Sequence, residues 1–281
     1  MTEQPVLFGP KGNLVGVLTR PAGLDIRVGV VFLNAGLIHH VGPGRLYVTF
    51  ARQLAEQGVT SLRFDHSGIG DSPRTNDERS VLTLHAAEAL DAVSYLNRQG
   101  VEHVIVFGLC SGAYAARQVA KANAADAIIL VNPQDIVPGS DLARQGWTSR
   151  YFKKSAFSLK SWRNLLTGKT NYRRLAAVFG GGQNAPASSS PSFDETVETV
   201  KEQLNNFVDG GGIIQFVLSE RDPSVDELSV FLGRDLRTDP PTEGISATIV
   251  KDADHLFMAS ADKTSLYDEI QAIISSVAQK G

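Results

Sequence analysis

The residues best placed to do chemistry are Gly108-Leu109-Cys110-Ser111-Gly112. An apolar run, Val104-Ile105-Val106-Phe107, precedes them, and an alanine-rich stretch with helical character, Ala113 to Ala120, follows. A strand, a sharp Gly-x-nucleophile-x-Gly turn and a helix together make a nucleophile elbow. The glycines leave room for a strained turn that lifts the central side chain clear of the sheet. The helix behind it directs free N–H groups and a positive dipole end at that side chain. The side chain is Cys110, the only cysteine of the chain. A thiol held there is expected to ionise more readily than a free one and to attack an acyl carbonyl, leaving a thioester. Ser111 is the competing nucleophile, but its position just past the apex makes its N–H, rather than its hydroxyl, the useful group.

A nucleophile needs a base, and the base needs an orienting group. Of the six histidines, only His255 follows directly on the last strand-like segment, in Lys251-Asp252-Ala253-Asp254-His255-Leu256-Phe257. The preceding strand-like run, Ile213–Leu218, opens into Ser219-Glu220-Arg221-Asp222-Pro223. A carboxylate on that loop can reach a histidine on the next. Glu220, Asp222 and Asp254 are the candidates.

Alternating strands and helices must position these groups. Val6–Phe8 and Leu14–Leu18 read as a hairpin around Pro10-Lys11-Gly12-Asn13. Val28–Leu33 is continuously apolar, as a strand buried on both faces is. Further strands are expected at 59–64, 104–107, 127–131, 213–218 and 247–250, with helices at 45–57, 80–97, 194–208 and 264–278. This alternation predicts a mainly parallel sheet with helices on both faces.

With those elements in place, the chain resembles the α/β-hydrolase family, its serine-aminopeptidase-like and esterase branches above all, over most of its length outside residues 139–208. Beyond the elbow, Asp65-His66-Ser67-Gly68-Ile69-Gly70-Asp71-Ser72 is similar to the family's D-x-x-G-x-G-x-S loop, and Asn34-Ala35-Gly36-Leu37 stands where His-Gly and an oxyanion-hole residue usually stand. The resemblance implies an α/β-hydrolase fold with an inserted cap. It also implies Cys110 as nucleophile, His255 as base and Asp222 as orienting acid, with the backbone N–H groups of Leu37 and Ser111 as oxyanion hole. Cysteine replaces the usual serine, as in dienelactone hydrolases and bile-acid-type N-acyltransferases, and Ala-Gly replaces His-Gly. The implied activity is hydrolysis of an ester or thioester through an S-acyl intermediate. The alternatives are acyl transfer to an amine or alcohol, and a catalytically silent binding protein.

The 281 residues divide into a core, 1–138 and 209–281, and an inserted segment, 139–208. Between Gly139 and Gly180 the insert carries Trp147, Trp162 and nine basic residues against one acid, Asp141. Residues 180–192, rich in Gly, Ser and Pro, read as a flexible connector. A basic, aromatic cap suits an anionic, partly apolar partner, whether acyl-coenzyme A, an acidic acyl carrier protein or an anionic lipid surface, or serves as a plain lid. Trp147 and Trp162, together with His39, His40 and Arg45 beyond the oxyanion loop, are the candidate substrate contacts. For His39, His40 and Arg45, ordinary loop and helix-start chemistry is the competing reading.

Composition narrows the classes. A 42% apolar content supports a full core, and a net charge of −3 carries no nucleic-acid signature. The first nine residues lack the charged and apolar regions of a signal peptide, and a lone cysteine makes no internal disulfide. A reducing, cytoplasmic setting without a transmembrane segment is expected. No histidine, cysteine or carboxylate spacing predicts a metal site, and no G-x-G-x-x-G follows a strand, so no cofactor is expected.

Overall fold

The computed structural model describes residues 1–23, 26–134, 136–137, 195–241 and 244–279. Trp147, Trp162, the 180–192 run and most of the expected insertion lie outside them. Eight strands form one sheet: β1 (Thr2–Phe8), β2 (Leu14–Arg20), β3 (Val28–Leu33), β4 (Thr60–Phe64), β5 (His103–Leu109), β6 (Ala127–Val131), β7 (Ile213–Ser219) and β8 (Ile245–Val250). Their order is β1-β2-β4-β3-β5-β6-β7-β8. β1 and β2 form the expected hairpin and pair antiparallel, and β2 pairs antiparallel with β4. From β4 to β8 every neighbour is parallel, as helical crossovers require.

Among the described residues the α-helices are α1 (Leu46–Glu56), α2 (Val81–Arg98), α3 (Gly112–Lys121), α4 (Val197–Asp209), α5 (Pro223–Leu232) and α6 (Ser260–Ala278). Residues alternating along the central strands separate two apolar layers. Val28, Val30, Phe32, Ile105 and Phe107 pack with α1 and α6, whereas Val31, Leu33, Val104 and Val106 pack with α2 to α5. This is an α/β-hydrolase fold, with its sheet buried between helical layers. Among the described residues no helix is long and apolar enough to cross a membrane.

The helices expected from periodicity fall within a few residues of their predicted ends. Ser80 caps α2, accepting the Thr83 N–H at 3.2 Å. Helix α4 buries Val200, Leu204 and Phe207 against the layer that holds α3. Just before it, Glu195 binds the fully buried Arg117 guanidinium at 2.5 Å and Lys121 at 3.2 Å. Burial favours the neutral acid, but the bonds from Arg117 outweigh it and hold Glu195 down at about 2. The returning chain is thereby fastened to the helix behind the elbow. Helix α5 was not expected from periodicity. Its start is local chemistry, with Asp222 as N-cap and Pro223 in the first turn.

The two elbow glycines permit contact between bare backbones. A Cβ on Gly108 would lie 2.5 Å from the Gly112 carbonyl oxygen and 2.8 Å from the Ala113 Cα. A Cβ on Gly112 would lie 2.7 Å from the Asn34 carbonyl oxygen. Gly108→Ala is therefore expected to push α3 away from β5 at a cost of about 1–3 kcal/mol. At roughly 2–4 °C per kcal/mol for a chain of this size, thermal unfolding should shift down by several degrees. An unchanged melting temperature would contradict so close an approach.

Candidate active site

Cys110 occupies the apex between β5 and α3 with φ of +58°. A non-glycine residue in this region costs roughly 1–3 kcal/mol and persists only where its surroundings dictate it. Here the Cys110 N–H donates to the Val131 carbonyl at 2.9 Å, and the Cys110 carbonyl accepts the Ala113 N–H at 3.1 Å. Both bonds use backbone, which leaves the half-buried thiol outside the turn's own hydrogen bonding, at the carboxyl edge of the sheet. Beneath it, the fully buried Tyr47 hydroxyl donates to the Leu33 carbonyl at 2.9 Å. Burial, and after it the Cys110 sulfur, raise the Tyr47 pKa, so this phenol stays neutral.

His255 lies on the loop after β8. Its Nδ1 is 2.6 Å from Asp222 Oδ2. Asp222 is buried, and its Oδ1 also accepts the Ser224 N–H at 3.0 Å. Burial pushes the Asp222 carboxyl up, but the bonds from His255 and Ser224 prevail and hold it below the usual carboxylate range. The Asp222 carboxylate, followed by the Cys110 sulfur, pushes the His255 imidazole up to about 10. His255 Nε2 is buried, and the Cys110 sulfur is near enough to the ring to favour its protonated form. The structure thus brings Cys110, His255 and Asp222 together. The rival acid Asp254 accepts the Leu256 and Met258 N–H groups at 2.8 and 3.0 Å, which shapes the loop that carries His255. Glu220 uses its backbone N–H on the Val250 carbonyl.

Two buried asparagines flank the elbow, and neither was singled out from the sequence. Asn132, just past β6 with φ of +40°, donates to the His255 carbonyl at 2.9 Å and to Ser219 Oγ at 2.8 Å. It also accepts the Ser219 N–H at 2.7 Å, and Ser219 Oγ donates to the Asp254 carbonyl at 2.8 Å. One amide therefore ties β6, β7 and the histidine loop together. Asn34, just past β3, donates to the Ile38 carbonyl at 2.9 Å and to Asp65 Oδ1 at 3.1 Å, and accepts the His66 N–H at 2.8 Å. It folds the loop that carries Gly36 and Leu37. Buried asparagines directly after strands are the signal that identifies such clamps.

The D-x-x-G-x-G-x-S stretch turns around Asp65. This carboxylate accepts the His40 N–H at 2.6 Å and the Asp71 N–H at 3.0 Å, and contacts His40 Nδ1 at 2.7 Å. Gly70, with φ of +50°, passes so close that a Cβ would lie 2.2 Å from Asp65 Oδ2. His40 is thus a loop anchor, while His39 and Arg45 are exposed. Arg45 has φ of +63° at the start of α1, where its carbonyl accepts the Thr49 hydroxyl at 3.1 Å. For His40 and Arg45 these contacts match the loop and helix-start reading.

Leu37 and Ser111 meet on the other flank of the elbow. Ser111 Oγ accepts the Gly36 N–H at 2.8 Å, which fastens the β3–α1 loop to the elbow. The serine side chain therefore has a positioning job that the sequence did not reveal. Neither the Leu37 N–H nor the Ser111 N–H donates to another described residue. Two groups of potential metal ligands also occur among the described residues: His40, Asp65 and Asp71, and His66, His85 and Glu88. In the first, the loop's hydrogen bonds occupy Asp65.

The His255–Asp222 pair has a defined pH signature. A raised imidazole pKa stabilises the fold fully below the unfolded value of 6.5, and that contribution is lost as pH rises through about 10. A lowered Asp222 pKa adds stability above the unfolded 3.8, lost as pH falls below it. The stability gap between the wild type and Asp222→Asn should be widest between about pH 4 and 6.5 and should close toward pH 10. Denaturant unfolding across pH measures it. A gap that widens above pH 7 would contradict the pairing.

The sequence matches the family described as "Alpha/beta hydrolase family" over residues 30–265. No curated protein sequence matches the chain. Solved structures share the fold at low identity. The α/β hydrolase GrgF from Penicillium sp. sh18 is 18% identical with a TM-score of 0.62, over 99% of this chain and 100% of that one. A Pyrococcus furiosus esterase is 16% identical with a TM-score of 0.58, over 99% and 92%. A serine hydrolase without a lid from Xanthomonas campestris is 14% identical with a TM-score of 0.54, over 97% and 93%. With its parallel sheet, its elbow and a match that spans most of its length, the chain belongs to the α/β-hydrolase family.

Proposed function

We propose that the protein hydrolyses an ester or thioester through a covalent S-acyl intermediate on Cys110. The observation that carries this reading is the 2.6 Å bond from His255 Nδ1 to the buried Asp222, beside a cysteine held in left-handed backbone. The Asp222 carboxylate keeps a proton on Nδ1 and sustains positive charge on the ring, so His255 is the natural counterion of a thiolate. The sulfur attacks the carbonyl carbon, and the C–S bond forms as the carbonyl π pair moves onto oxygen. The Leu37 and Ser111 N–H groups are the donors available to that oxyanion. As the tetrahedral species collapses, the bond to the leaving oxygen or sulfur breaks and His255 Nε2 delivers its proton there. Water then attacks the thioester, His255 accepts its proton, and the acid departs while sulfur regains the electron pair.

Acyl transfer differs only in the second attacker, an amine or alcohol in place of water. An acyl carrier protein or coenzyme A as donor rests on the basic segment outside the described residues.

Turnover of a p-nitrophenyl ester and acyl-thioester panel by three variants tests the assignment. Cys110→Ala should abolish turnover with the fold retained, since one small side chain replaces another. His255→Ala should cut kcat by about 10²–10⁴-fold. Cys110→Ser should retain partial activity, because the elbow geometry accepts either nucleophile. Wild-type rates in Cys110→Ala would overturn the assignment.

A further inference from the structure

A second feature lies on the flank of the elbow that faces away from His255. A pocket of about 190 Å³ opens there between the β3–α1 loop, the start of α2 and α3. Leu37 and Ser111, the proposed oxyanion donors, form one wall, and His66 and His85 form another. Leu37 and Val81 stand at its mouth, 88% and 64% exposed, an unusual exposure for large apolar side chains unless something covers them.

The polar wall is built. Glu88 is buried, and its Oε2 lies 3.0 Å from His66 Nδ1 and accepts the Ser67 N–H at 3.1 Å. The His66 ring stacks flat on His85, with centroids 4.2 Å apart at 10°. His85 is half-buried, and its ring makes no hydrogen bond to another described residue. Burial pushes His85 down to about 4, so at neutral pH it presents one N–H donor and one lone pair. This cluster is poorly arranged for a metal. Ring-nitrogen lone pairs lie in the ring plane, so two parallel stacked rings cannot aim theirs at a common point, and His66 Nδ1 is already committed to Glu88.

The position relative to the elbow sets the occupant. The leaving group must meet His255, on the β8 side of the sheet. The acyl chain, on the other bond of the same carbonyl carbon, then points to the β4 and α2 side, where the pocket opens. We propose that this pocket binds the acyl chain, and that His85 selects short chains bearing a neutral hydroxyl group. This rests on the S-acyl reading above. A hydroxyl both donates and accepts, as the neutral imidazole does. The buried Glu88 charge disfavours an acyl chain ending in a carboxylate. A cavity of about 150 Å³ holds benzene, so the pocket holds an acyl chain of roughly similar size.

The test compares second-order rates of Cys110 acylation by N-acetylcysteamine thioesters of butyric, 3-hydroxybutyric, 4-hydroxybutyric and succinic acid, read by intact mass. At least one hydroxybutyryl thioester should react about two- to tenfold faster than butyryl, the range of one added hydrogen bond, and succinyl should be slowest. His85→Phe keeps a stacked ring without the nitrogens. It should bring the hydroxybutyryl rates down to that of butyryl. His85→Gln, which restores donor and acceptor, should recover it and guards against a His85→Phe chain that fails to fold. Equal rates for butyryl and both hydroxybutyryl thioesters, or a preference that survives in His85→Phe, would overturn the proposal while leaving the S-acyl reading intact. Absence of Cys110 labelling by all four would overturn that reading, and the pocket assignment with it.

Discussion

Everything at this site depends on one residue being held in a conformation that its chemistry resists. Cys110 has a Cβ and yet occupies left-handed backbone. The cost, roughly 1–3 kcal/mol, is offset by the close seating of α3 on β5. That seating in turn requires hydrogen atoms where Gly108 and Gly112 would otherwise carry methyl groups. The same contact brings the helix start under the sulfur and sets Ser111 where its hydroxyl catches Gly36. Relaxing the turn would release the thiol, the helix terminus and the neighbouring loop together.

Around this turn the fold uses one chemical pair in three ways. Asp65 with His40 fastens a loop, Glu88 anchors the pocket-lining His66, and Asp222 with His255 stands beside the sulfur. The environment decides the role. Asp65 has its oxygens taken by backbone and by Asn34, so its histidine is an anchor. Asp222 binds the imidazole and the Ser224 N–H, and that imidazole also interacts with the Cys110 sulfur. Asn34 and Asn132 brace the two sides of the elbow, so that loops from β3, β4, β7 and β8 are fixed with respect to the central strand.

The sheet and elbow were legible because their signals are local. Six consecutive apolar residues at Val28–Leu33 have few options other than a strand buried on both faces, and Gly-x-Cys-x-Gly between strand and helix constrains its own turn. The choice of Asp222 over Asp254 followed from order along the chain and from family resemblance, and the Asp222 carboxylate lies 2.6 Å from His255 Nδ1. What escaped was non-local. The His66–Glu88 contact joins residues 22 positions apart, and the bond from Asn132 to His255 spans 123. No periodicity encodes such meetings, which depend on where the crossovers deliver each loop. Helix α5 escaped because its apolar stripe is short, although Asp222-Pro223 announces its start.

The central claim is that Cys110 carries the acyl group in a covalent intermediate. The most direct measurement is the intact mass of the protein, quenched in acid during turnover of an acyl thioester, followed by peptide mapping. The account predicts a mass increase equal to one acyl group, confined to the peptide that contains Cys110 and removed by neutral hydroxylamine. Steady turnover without any adduct, or an adduct carried by Ser111, would contradict it.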